Sequence, residues 1–321
     1  MDAKTTAFLF PGQGSQTVGM GHALAKSYPI AQETFEEADH VLGFPLSKLS
    51  WDGPIETLSD TINTQPALLV HSVAALRVLQ DQLPDFRPAF VAGHSLGELS
   101  ALVAAEALPF GQALKLVRRR GELMKAAGET SPGGMAAILG LDIATVDDIC
   151  AQISSGPEIV QVANDNCPGQ VVISGTTPAL ERVIASAQDA GAKRVVRLAV
   201  SIAAHSPLMS HAQADFNNAV AAAPIRQARI KIIGNVNALP LSSPDEIRAD
   251  LQAQLNARVR WTESIQYMLE QGVTTFVEVG NGNVLTSLVK RINRKTTRIS
   301  LGTPEDVEKI NSRDESAQAT K

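Results

Sequence analysis

Cysteine is scarce in this chain of 321 residues, which contains only Cys150 and Cys167. Neither belongs to a Cys-x-x-Cys pair or to a cluster of histidines, so the sequence predicts neither a disulfide framework nor a zinc or other metal site. Unpaired thiols are typical of a reducing compartment, and the N-terminal segment lacks a signal-peptide pattern. A cytoplasmic protein is therefore expected.

Long apolar runs and an excess of positive charge are also missing. No stretch reaches the length of about 20 apolar residues that a membrane-spanning helix needs, so no membrane partner is expected. The net charge is −5 at pH 7, and nothing in it suggests nucleic-acid binding. With 44% hydrophobic and 19% charged residues, the composition is that of an ordinary globular protein with room for one large domain and a smaller one.

Short apolar segments alternate with helical stretches, which is typical of an α/β fold with a parallel sheet. The predicted strands of this fold are 7–10, 88–92, 231–235, 275–279 and 298–301. The predicted helices are 20–27, 31–42, 66–80, 96–105, 110–127 and 207–222, the last with Ser206 as its N-cap.

The middle of the chain has a different order of elements. Strand-like, helical, strand-like, strand-like, helical and strand-like segments follow one another at 134–140, 144–153, 158–162, 170–174, 177–190 and 192–200. This β-α-β-β-α-β order is the ferredoxin-like pattern. We therefore predict a discontinuous α/β domain over 1–128 and 199–302, with an inserted subdomain over 129–198. The polar stretch 303–321 lacks periodicity and is expected to be a disordered tail.

The run 93–97 reads Gly-His-Ser-Leu-Gly and lies between a predicted strand and a predicted helix. Gly-x-Ser-x-Gly in that setting is the nucleophile elbow. The sharp turn strains the serine backbone, and only very small neighbours fit beside it. It places the Ser95 hydroxyl at a helix N-terminus, where free N–H groups favour negative charge. The alternative interpretation is an ordinary glycine-flanked turn.

A nucleophilic serine needs a base, and histidine is the usual one. The histidines are His22, His40, His71, His94, His205 and His211. His205 follows a predicted strand among small residues, at the sheet edge where α/β proteins build sites. His94 adjoins the serine, but neighbours on an elbow point apart, so His94 is better placed to face the substrate. His205 is the preferred candidate, and the other histidines stay open.

Arg120 lies on the apolar face of a predicted helix, whereas Arg118 and Arg119 fall off that face. Because an unpaired buried charge is costly, the guanidinium needs a partner. Two interpretations stay open. Arg120 forms either a structural ion pair with a carboxylate of the chain or a bidentate pair with a carboxylate of the substrate.

The segment 10–16, Phe-Pro-Gly-Gln-Gly-Ser-Gln, directly follows the first predicted strand. Glycines let a backbone approach a ligand closely. A backbone N–H from this loop and that of Leu96 would suit the two halves of an oxyanion hole. The segment is not a Walker loop, because the Gly-Lys-Ser/Thr ending is absent.

With these motifs the chain resembles the malonyl-CoA:acyl carrier protein transacylases over about residues 5–302. The matching segments are 10–16, 64–68, 93–98, 120–121, 166–172, 205, 254–255 and 259–261. The resemblance implies an α/β-hydrolase-like catalytic core with a ferredoxin-like insert, in agreement with the pattern of elements. It also implies malonyl-CoA as substrate, holo acyl carrier protein as partner, no cofactor, a monomer, and a role in fatty acid or polyketide synthesis.

The resemblance further implies a role for each matching residue. Ser95 would carry the acyl group and His205 would act as general base and acid. The N–H groups of Gln13 and Leu96 would form the oxyanion hole, and Arg120 would pair with the malonyl carboxylate. The remaining implied positions are Gln254, which would orient His205 in place of a triad aspartate, and Gln65, His94 and Asn166, which would line the pocket.

Two positions depart from the family pattern. Malonyl-selective members often have phenylalanine before the catalytic histidine, where this chain has Ala204, and the turn at 280–283 lacks the common proline and lysine. The first departure puts the exclusion of methylmalonyl in doubt.

Carrier protein is acidic, so its docking needs basic residues. The candidates are Lys193, Arg194, Lys290, Arg291, Arg294 and Lys295, and the alternative interpretation is an ordinary solvated, charged helix end.

Three alternative functions stay open. A serine acyl hydrolase would use the same elbow and release malonate to water. A transacylase of malonate decarboxylase or of a polyketide synthase would differ only in its carrier. A catalytically silent docking subunit would keep the fold without the chemistry, although Ser95, His205 and Arg120 together argue against it.

Overall fold

The computed structural model describes residues 1–200 and 202–318. Residue 201, in the small-residue segment before His205, and residues 319–321 of the predicted tail lie outside the described residues. The strands are β1 (Thr6–Phe10), β2 (Phe90–Gly93), β3 (Gly134–Leu139), β4 (Val160–Cys167), β5 (Gln170–Gly175), β6 (Arg194–Arg197), β7 (Lys231–Ile233), β8 (Pro240–Leu241), β9 (Thr275–Val279) and β10 (Thr297–Leu301).

Helices pack against both sheets. They are α1 (His22–Ser27), α2 (Pro29–Leu42), α3 (Leu46–Asp52), α4 (Ile55–Leu58), α5 (Thr61–Gln82), α6 (Gly97–Ala104), α7 (Phe110–Thr130), α8 (Ile143–Ile153), α9 (Thr177–Asp189), α10 (Ser210–Ala222), α11 (Pro244–Gln254), α12 (Trp261–Glu270), α13 (Val284–Ile292) and α14 (Pro304–Gln318). None of the helices within the described part of the chain is both long and apolar enough to cross a membrane.

The larger sheet has the strand order β10-β9-β1-β2-β7-β8. All its neighbours pair in parallel except β7 and β8, which are antiparallel. Every residue of β1 is buried, as in a parallel strand covered on both faces. Phe8 and Phe10 pack into the core on one face, and Ala7 and Leu9 into the core on the other. The predicted α/β fold with a parallel sheet is confirmed.

The smaller sheet has the order β4-β5-β3-β6, and all its pairs are antiparallel. Residues of α8 and α9 pack with its strands in one apolar cluster. This is the ferredoxin-like arrangement that the sequence predicts. Its strands and helices fall within the predicted insert 129–198, while the exact division into domains stays a prediction.

The insert is tied to the larger unit beside the site. The amide of Asp165 on β4 donates to the carbonyl of Val259 at 3.0 Å, and the amide of Val259 donates to the carbonyl of Ala163 at 2.8 Å. Gln161 Nε2, also on β4, donates to the carbonyl of His205 at 2.7 Å. The insert therefore holds the segment that carries His205.

Helix α5 begins earlier than predicted, at Thr61 and not at Pro66, because Asp60 caps it by accepting from the amide of Ile62 at 3.1 Å. Pro66 lies inside the helix, where it cannot donate to the carbonyl of Ile62. Arg118 Nη1 donates to that carbonyl at 3.1 Å. A side chain from α7 thus replaces the missing backbone donor.

The predicted disordered tail over 303–321 is wrong where the structure describes it. Residues Pro304–Gln318 form α14. Thr303 and Asp306 cap each other, with the amide of Asp306 donating to Thr303 Oγ1 at 3.3 Å and the amide of Thr303 donating to Asp306 Oδ2 at 3.2 Å. Val307 and Ile310 are buried. These two residues form an apolar edge too short to stand out among the polar residues.

Candidate active site

Ser95 lies in the turn between β2 and α6, with a φ of 53°. The flanking glycines are required by space. A Cβ on Gly93 would lie 1.9 Å from the carbonyl of Gly97, and a Cβ on Gly97 would lie 2.2 Å from the carbonyl of Phe10. The turn is therefore the sharp strand-to-helix turn that the sequence predicts, and it lies at the carboxyl edge of the parallel sheet.

Asn235 holds this turn from the neighbouring strand. Its Oδ1 accepts from the amide of Ser95 at 2.8 Å, and its Nδ2 donates to the carbonyl of Gly93 at 2.8 Å. Sequence patterns did not identify Asn235. The available signal was its position, because a polar residue two positions after the end of β7 lies at the same sheet edge as Ser95.

His205 is the histidine that the structure brings to the serine. The Ser95 hydroxyl donates to His205 Nε2 at 2.8 Å. On its other side, His205 Nδ1 donates to the carbonyls of Gln254 at 2.8 Å and Ala257 at 3.1 Å. These acceptors hold the proton on Nδ1 and leave Nε2 free to accept. Of the alternatives, His94 lies 2.8 Å from Asn166 Oδ1 through its Nε2 and His71 is buried against the carbonyl of Gly302, so neither takes the place of His205 beside the serine.

His205 is also held in its neutral form. Burial lowers its pKa most, the positive charge of Arg120 lowers it further, and the net result is a pKa of about 3. A neutral imidazole can accept the serine proton at any physiological pH.

Arg120 is 2% exposed and points at the serine. Its Nη1 donates to Gln65 Oε1 at 2.8 Å, and its Nη2 donates to Ser95 Oγ at 3.1 Å and to Gln254 Oε1 at 2.8 Å. All three partners are neutral. Among the described residues no carboxylate forms an ion pair with Arg120, which contradicts the interpretation as a structural ion pair. Burial lowers its pKa to about 10, so the guanidinium stays charged at neutral pH.

A cavity of about 130 Å³ opens over these groups. Its polar side is lined by Gln13, His94, Ser95, Arg120, Asn164 and His205, and its apolar side by Leu96, Met124, Met135, Leu198, Val200, Ile202 and Ala204. Polar groups therefore cluster around the serine, while apolar side chains cover the other side of the cavity.

Gln65 and Asn166, which were expected to line the pocket, instead support residues that do. Gln65 accepts from Arg120, as described above, and is itself fully buried. Asn166 Oδ1 lies 2.8 Å from Nε2 of His94. Asn164, which shares β4 with Asn166, reaches the cavity in its place.

Gln13 and Leu96, whose backbone amides were expected to form the oxyanion hole, both line the same cavity. Within the described part of the chain, neither amide donates to a protein acceptor. The side chain of Gln13 is fixed separately, since its Oε1 accepts from the hydroxyl of Thr61 at 2.9 Å. Both amides are thus available to an oxygen bound near Ser95.

Gln254 contacts His205 through its backbone and other residues through its side chain. Its carbonyl accepts from His205 Nδ1, as given above. Its side-chain Nε2 donates to the carbonyl of Ser95 at 3.2 Å and to Glu98 Oε2 at 2.6 Å. The orienting group for His205 is therefore a main-chain carbonyl, where a serine triad has a carboxylate.

Residues suited to hold a metal are not grouped together: across 1–200 and 202–318 the structure shows no cluster of three or more His, Cys, Asp or Glu that could bind an ion. Cys150 and Cys167 are both buried and free. The chemistry available at the cavity is that of a hydroxyl, an imidazole, a guanidinium and backbone amides.

Comparison with known proteins gives a consistent result. The family model of the acyl transferase domain matches residues 7–311. A malonyl CoA-acyl carrier protein transacylase of Bacillus subtilis is 44% identical over 302 residues, which cover 94% of this chain and 95% of the relative. The solved acyl carrier protein S-malonyltransferase of Vibrio cholerae is 43% identical, with a TM-score of 0.92, covering 95% of this chain and 99% of that one.

A third similar protein was solved with its partner. It is a malonyl-transacylase in complex with a type II PKS acyl-carrier protein, 40% identical, with a TM-score of 0.93, covering 96% of this chain and 99% of that one. The match of the family model extends over most of the chain, and the full-length relatives agree with it. The chain belongs to the acyl transferase domain family.

Proposed function

We propose that the chain is a malonyl-CoA:acyl carrier protein S-malonyltransferase that works through a malonyl-serine intermediate. The observation that carries the proposal is the buried guanidinium of Arg120, which lies 3.1 Å from the nucleophile hydroxyl and is bonded only to neutral groups. A buried positive charge beside a nucleophile is best neutralised by an anionic substrate. An acyl group that itself carries a carboxylate supplies that anion.

In the first half-reaction, His205 Nε2 takes the proton of Ser95 as Oγ attacks the malonyl thioester carbonyl. The tetrahedral oxyanion accepts from the amides of Gln13 and Leu96, and each such donor contributes roughly 3 kcal/mol. The carbon–sulfur bond then breaks, the CoA thiolate takes the proton from His205, and a malonyl ester remains on Ser95.

The second half-reaction reverses these steps with a different thiol. The phosphopantetheine thiol of the carrier protein gives its proton to His205 and attacks the ester carbonyl. The same amides stabilise the oxyanion, and the proton returns from His205 to Ser95 as the ester breaks. Two thioesters of similar energy are exchanged, so no cofactor or metal is part of the proposal.

Arg120 selects the acyl group in this scheme. A malonyl carboxylate would pair with the guanidinium in a bidentate, charge-assisted contact, which a neutral acyl group cannot make. Ala204 leaves the apolar side of the cavity open next to His205. We therefore propose that the site discriminates acyl groups by charge more strictly than by the size of a substituent on the carbon between the two carbonyl groups of malonyl.

The carrier protein is proposed to dock where the insert meets α13. Arg291 donates to Gln170 Oε1 at 2.6 Å and to the carbonyl of Gly169. Gly169 lies against Gly140, and Gly140 lies against Lys193. Lys193 of the insert and Arg291 of α13 are thus close together and mark one candidate surface for an acidic partner, which the adjacent Arg194 and Lys290 would extend.

The setting of the enzyme is also part of the proposal. Two free, buried thiols suit the reducing cytosol. The large apolar side chains exposed among the described residues are Val18, Ile55, Leu239 and Val284. So few exposed apolar groups favour a monomer, since stable homodimer interfaces are extensive and rich in apolar residues.

Intact-protein mass spectrometry tests the proposed function. The protein is incubated briefly with malonyl-CoA and then chased with holo acyl carrier protein, with the Ser95→Ala variant as control. We expect a malonyl adduct that is absent in the variant and moves to the carrier. An adduct that decays to free malonate equally fast with or without carrier would indicate a hydrolase, and no adduct with any acyl-CoA would overturn the enzyme assignment.

A further inference from the structure

Two carboxyl groups are buried together directly behind the site. Glu98, in the first turn of α6, is 0% exposed, and Asp250, on α11, is 5% exposed. The two side chains form a hydrogen bond with each other. A Cβ at position 234 would lie 2.6 Å from Asp250 Oδ1, so Gly234 leaves space for this carboxylate. The mechanism above uses neither residue.

The hydrogen bonds around the pair show which member carries the proton. Asp250 accepts backbone N–H groups on both oxygens, from Asn235 at 3.2 Å and from Val236 at 3.2 Å. Glu98 accepts only on Oε2, from Gln254, and no N–H or O–H donor among the described residues reaches its buried Oε1. Two carboxyl groups hydrogen-bond only when they share a proton, and Glu98 Oε1 is the oxygen free to hold it.

The surroundings favour the same assignment. Burial raises the pKa of Glu98 well above its usual range, and the negative charge of Asp250 raises it further. Burial also raises the pKa of Asp250, but the hydrogen bonds from Glu98 and from the backbone oppose that effect. Asp250 is therefore the member that stays ionised.

The pair supports Arg120 and Ser95 through two amide side chains. Glu98 holds the side chain of Gln254, which contacts Arg120 and the carbonyl of Ser95. Asp250 holds the backbone of Asn235, whose side chain fixes the amide of Ser95. The amide of Gln254 has one accepting and one donating end, so Oε1 must face Arg120 while Nε2 faces Glu98.

We propose that Glu98 and Asp250 form a proton-sharing carboxyl pair with a single negative charge, in which neutral Glu98 positions Gln254 and ionised Asp250 positions Asn235. Gln254 separates Arg120 from the pair, so the guanidinium makes no ion pair within the protein and stays available to a substrate carboxylate. This last consequence rests on the proposed function, whereas the shared proton does not.

Conservative variants test the two roles separately. In Glu98→Gln, the amide carbonyl accepts from Gln254 and the amide N–H donates to Asp250, so this variant should recover most of the kcat/KM that Glu98→Ala loses. In Asp250→Asn, an amide N–H would face a backbone N–H, and we expect kcat/KM for malonyl-CoA to fall by about tenfold or more. Loss of Gln254 positioning in Glu98→Ala should raise KM more for malonyl-CoA than for acetyl-CoA.

A loss in Glu98→Gln as large as that in Glu98→Ala would overturn the proposal, because it would mean that Glu98 works as an anion. Unchanged kinetics in Asp250→Asn would overturn the role of Asp250. Thermal unfolding of each variant shows which losses come from a damaged fold.

Infrared spectroscopy tests the shared proton without any substrate. In the Ser95→Ala background, we expect the C=O band of a protonated carboxylic acid at pH 8, which disappears in the additional Glu98→Gln variant. Absence of that difference band would refute the proton-sharing pair. If the difference band is present but the protein with Ser95 intact fails to transfer malonyl groups, the proposed function is refuted and the pair is left standing.

Discussion

At the scale of single residues, Ser95 and His205 share a backbone conformation that non-glycine residues rarely adopt, with φ values of 53° and 58°. Each such residue costs about 1–3 kcal/mol and persists only where its neighbours hold it. Asn235 holds Ser95 by its amide, and Gln161 holds His205 by its carbonyl. The strain places a hydroxyl and an imidazole within hydrogen-bond distance, although 110 residues separate them in the chain.

Replacement of Arg120 by alanine should change which acyl group is accepted. Because this truncation removes the charged partner of a buried carboxylate, kcat/KM for malonyl-CoA should fall by about a hundredfold, with a much smaller loss for acetyl-CoA. Stopped-flow loading with both thioesters measures the two effects. The matched control is Arg119→Ala on the same helix, where the side chain is 48% exposed. Equal losses for the two substrates in Arg120→Ala would rule out the carboxylate contact.

The pH dependence of loading should lack the acidic limb of an ordinary histidine. Because the pKa of His205 is about 3, the imidazole stays neutral and able to accept a proton as the pH falls through 6.5, the usual value. We expect kcat/KM for malonyl-CoA to stay level between about pH 8 and pH 5. A pH–rate profile measures it, and a limb near 6.5 would contradict the neutral, buried imidazole. In Arg120→Ala, loss of the nearby positive charge should move any acidic limb of acetyl loading to higher pH.

At the scale of elements, α14 shows how tertiary contact makes a helix from a polar segment. Its capping residues are readable in the sequence, but its apolar edge consists of Val307 and Ile310 within a polar stretch. The helix packs against α1, α5 and β10, which supply the apolar surface that it lacks by itself. Similarly, α11 is missing from the predicted helices although Ser243 and Glu246 form a capping box at its start.

The α14 contact can be measured by truncating its buried edge. Ile310→Ala should lower the free energy of unfolding by about 2–5 kcal/mol, because the side chain is fully buried. Glu308→Ala, on the exposed face of the same helix, is the control and should change it by less than about 0.5 kcal/mol. Chemical denaturation followed by circular dichroism gives both values. If Ile310→Ala behaves like the control, α14 does not contribute to the folded core.

At the scale of the whole molecule, net charge and local charge have opposite signs. The chain carries −5 overall, but Lys193 of the insert and Arg291 of α13 lie close together beside the turns at Gly140 and Gly169, with Arg194 and Lys290 next to them in the chain. An acidic carrier protein would be repelled by the average charge and attracted by this surface. Such steering acts on the rate of association and weakens with added salt.

Charge reversal at this surface should weaken transfer to the carrier without affecting loading from malonyl-CoA. Lys290→Glu is preferred to a change at Arg291, because Arg291 also holds the hairpin between β4 and β5. We expect KM for holo acyl carrier protein to rise about fivefold to tenfold at low salt and by less at high salt. Lys231→Glu, at the amino edge of the sheet and so opposite Ser95, is the control. An unchanged KM would place the docking surface elsewhere.

Much of this protein follows from local sequence. The alternation of strands and helices predicts the parallel sheet, and the β-α-β-β-α-β order predicts the insert, because hydrophobic periodicity and chain direction are local properties. The glycines at 93 and 97 predict the elbow, since a sharp turn needs small residues at those two places. The helical spacing of the apolar residues around Arg120 predicts that its charged side chain is buried.

Only the tertiary structure decided what surrounds those residues. Sequence left several histidines open and left Arg120 with two kinds of partner, because neither spacing nor composition reports distances across a sheet. Folding brings Ser95, His205 and Arg120 together, and it places the Glu98–Asp250 pair and Asn235 behind them. The position of a proton depends on burial and on every neighbouring donor and charge, and these exist only once distant segments have packed against one another.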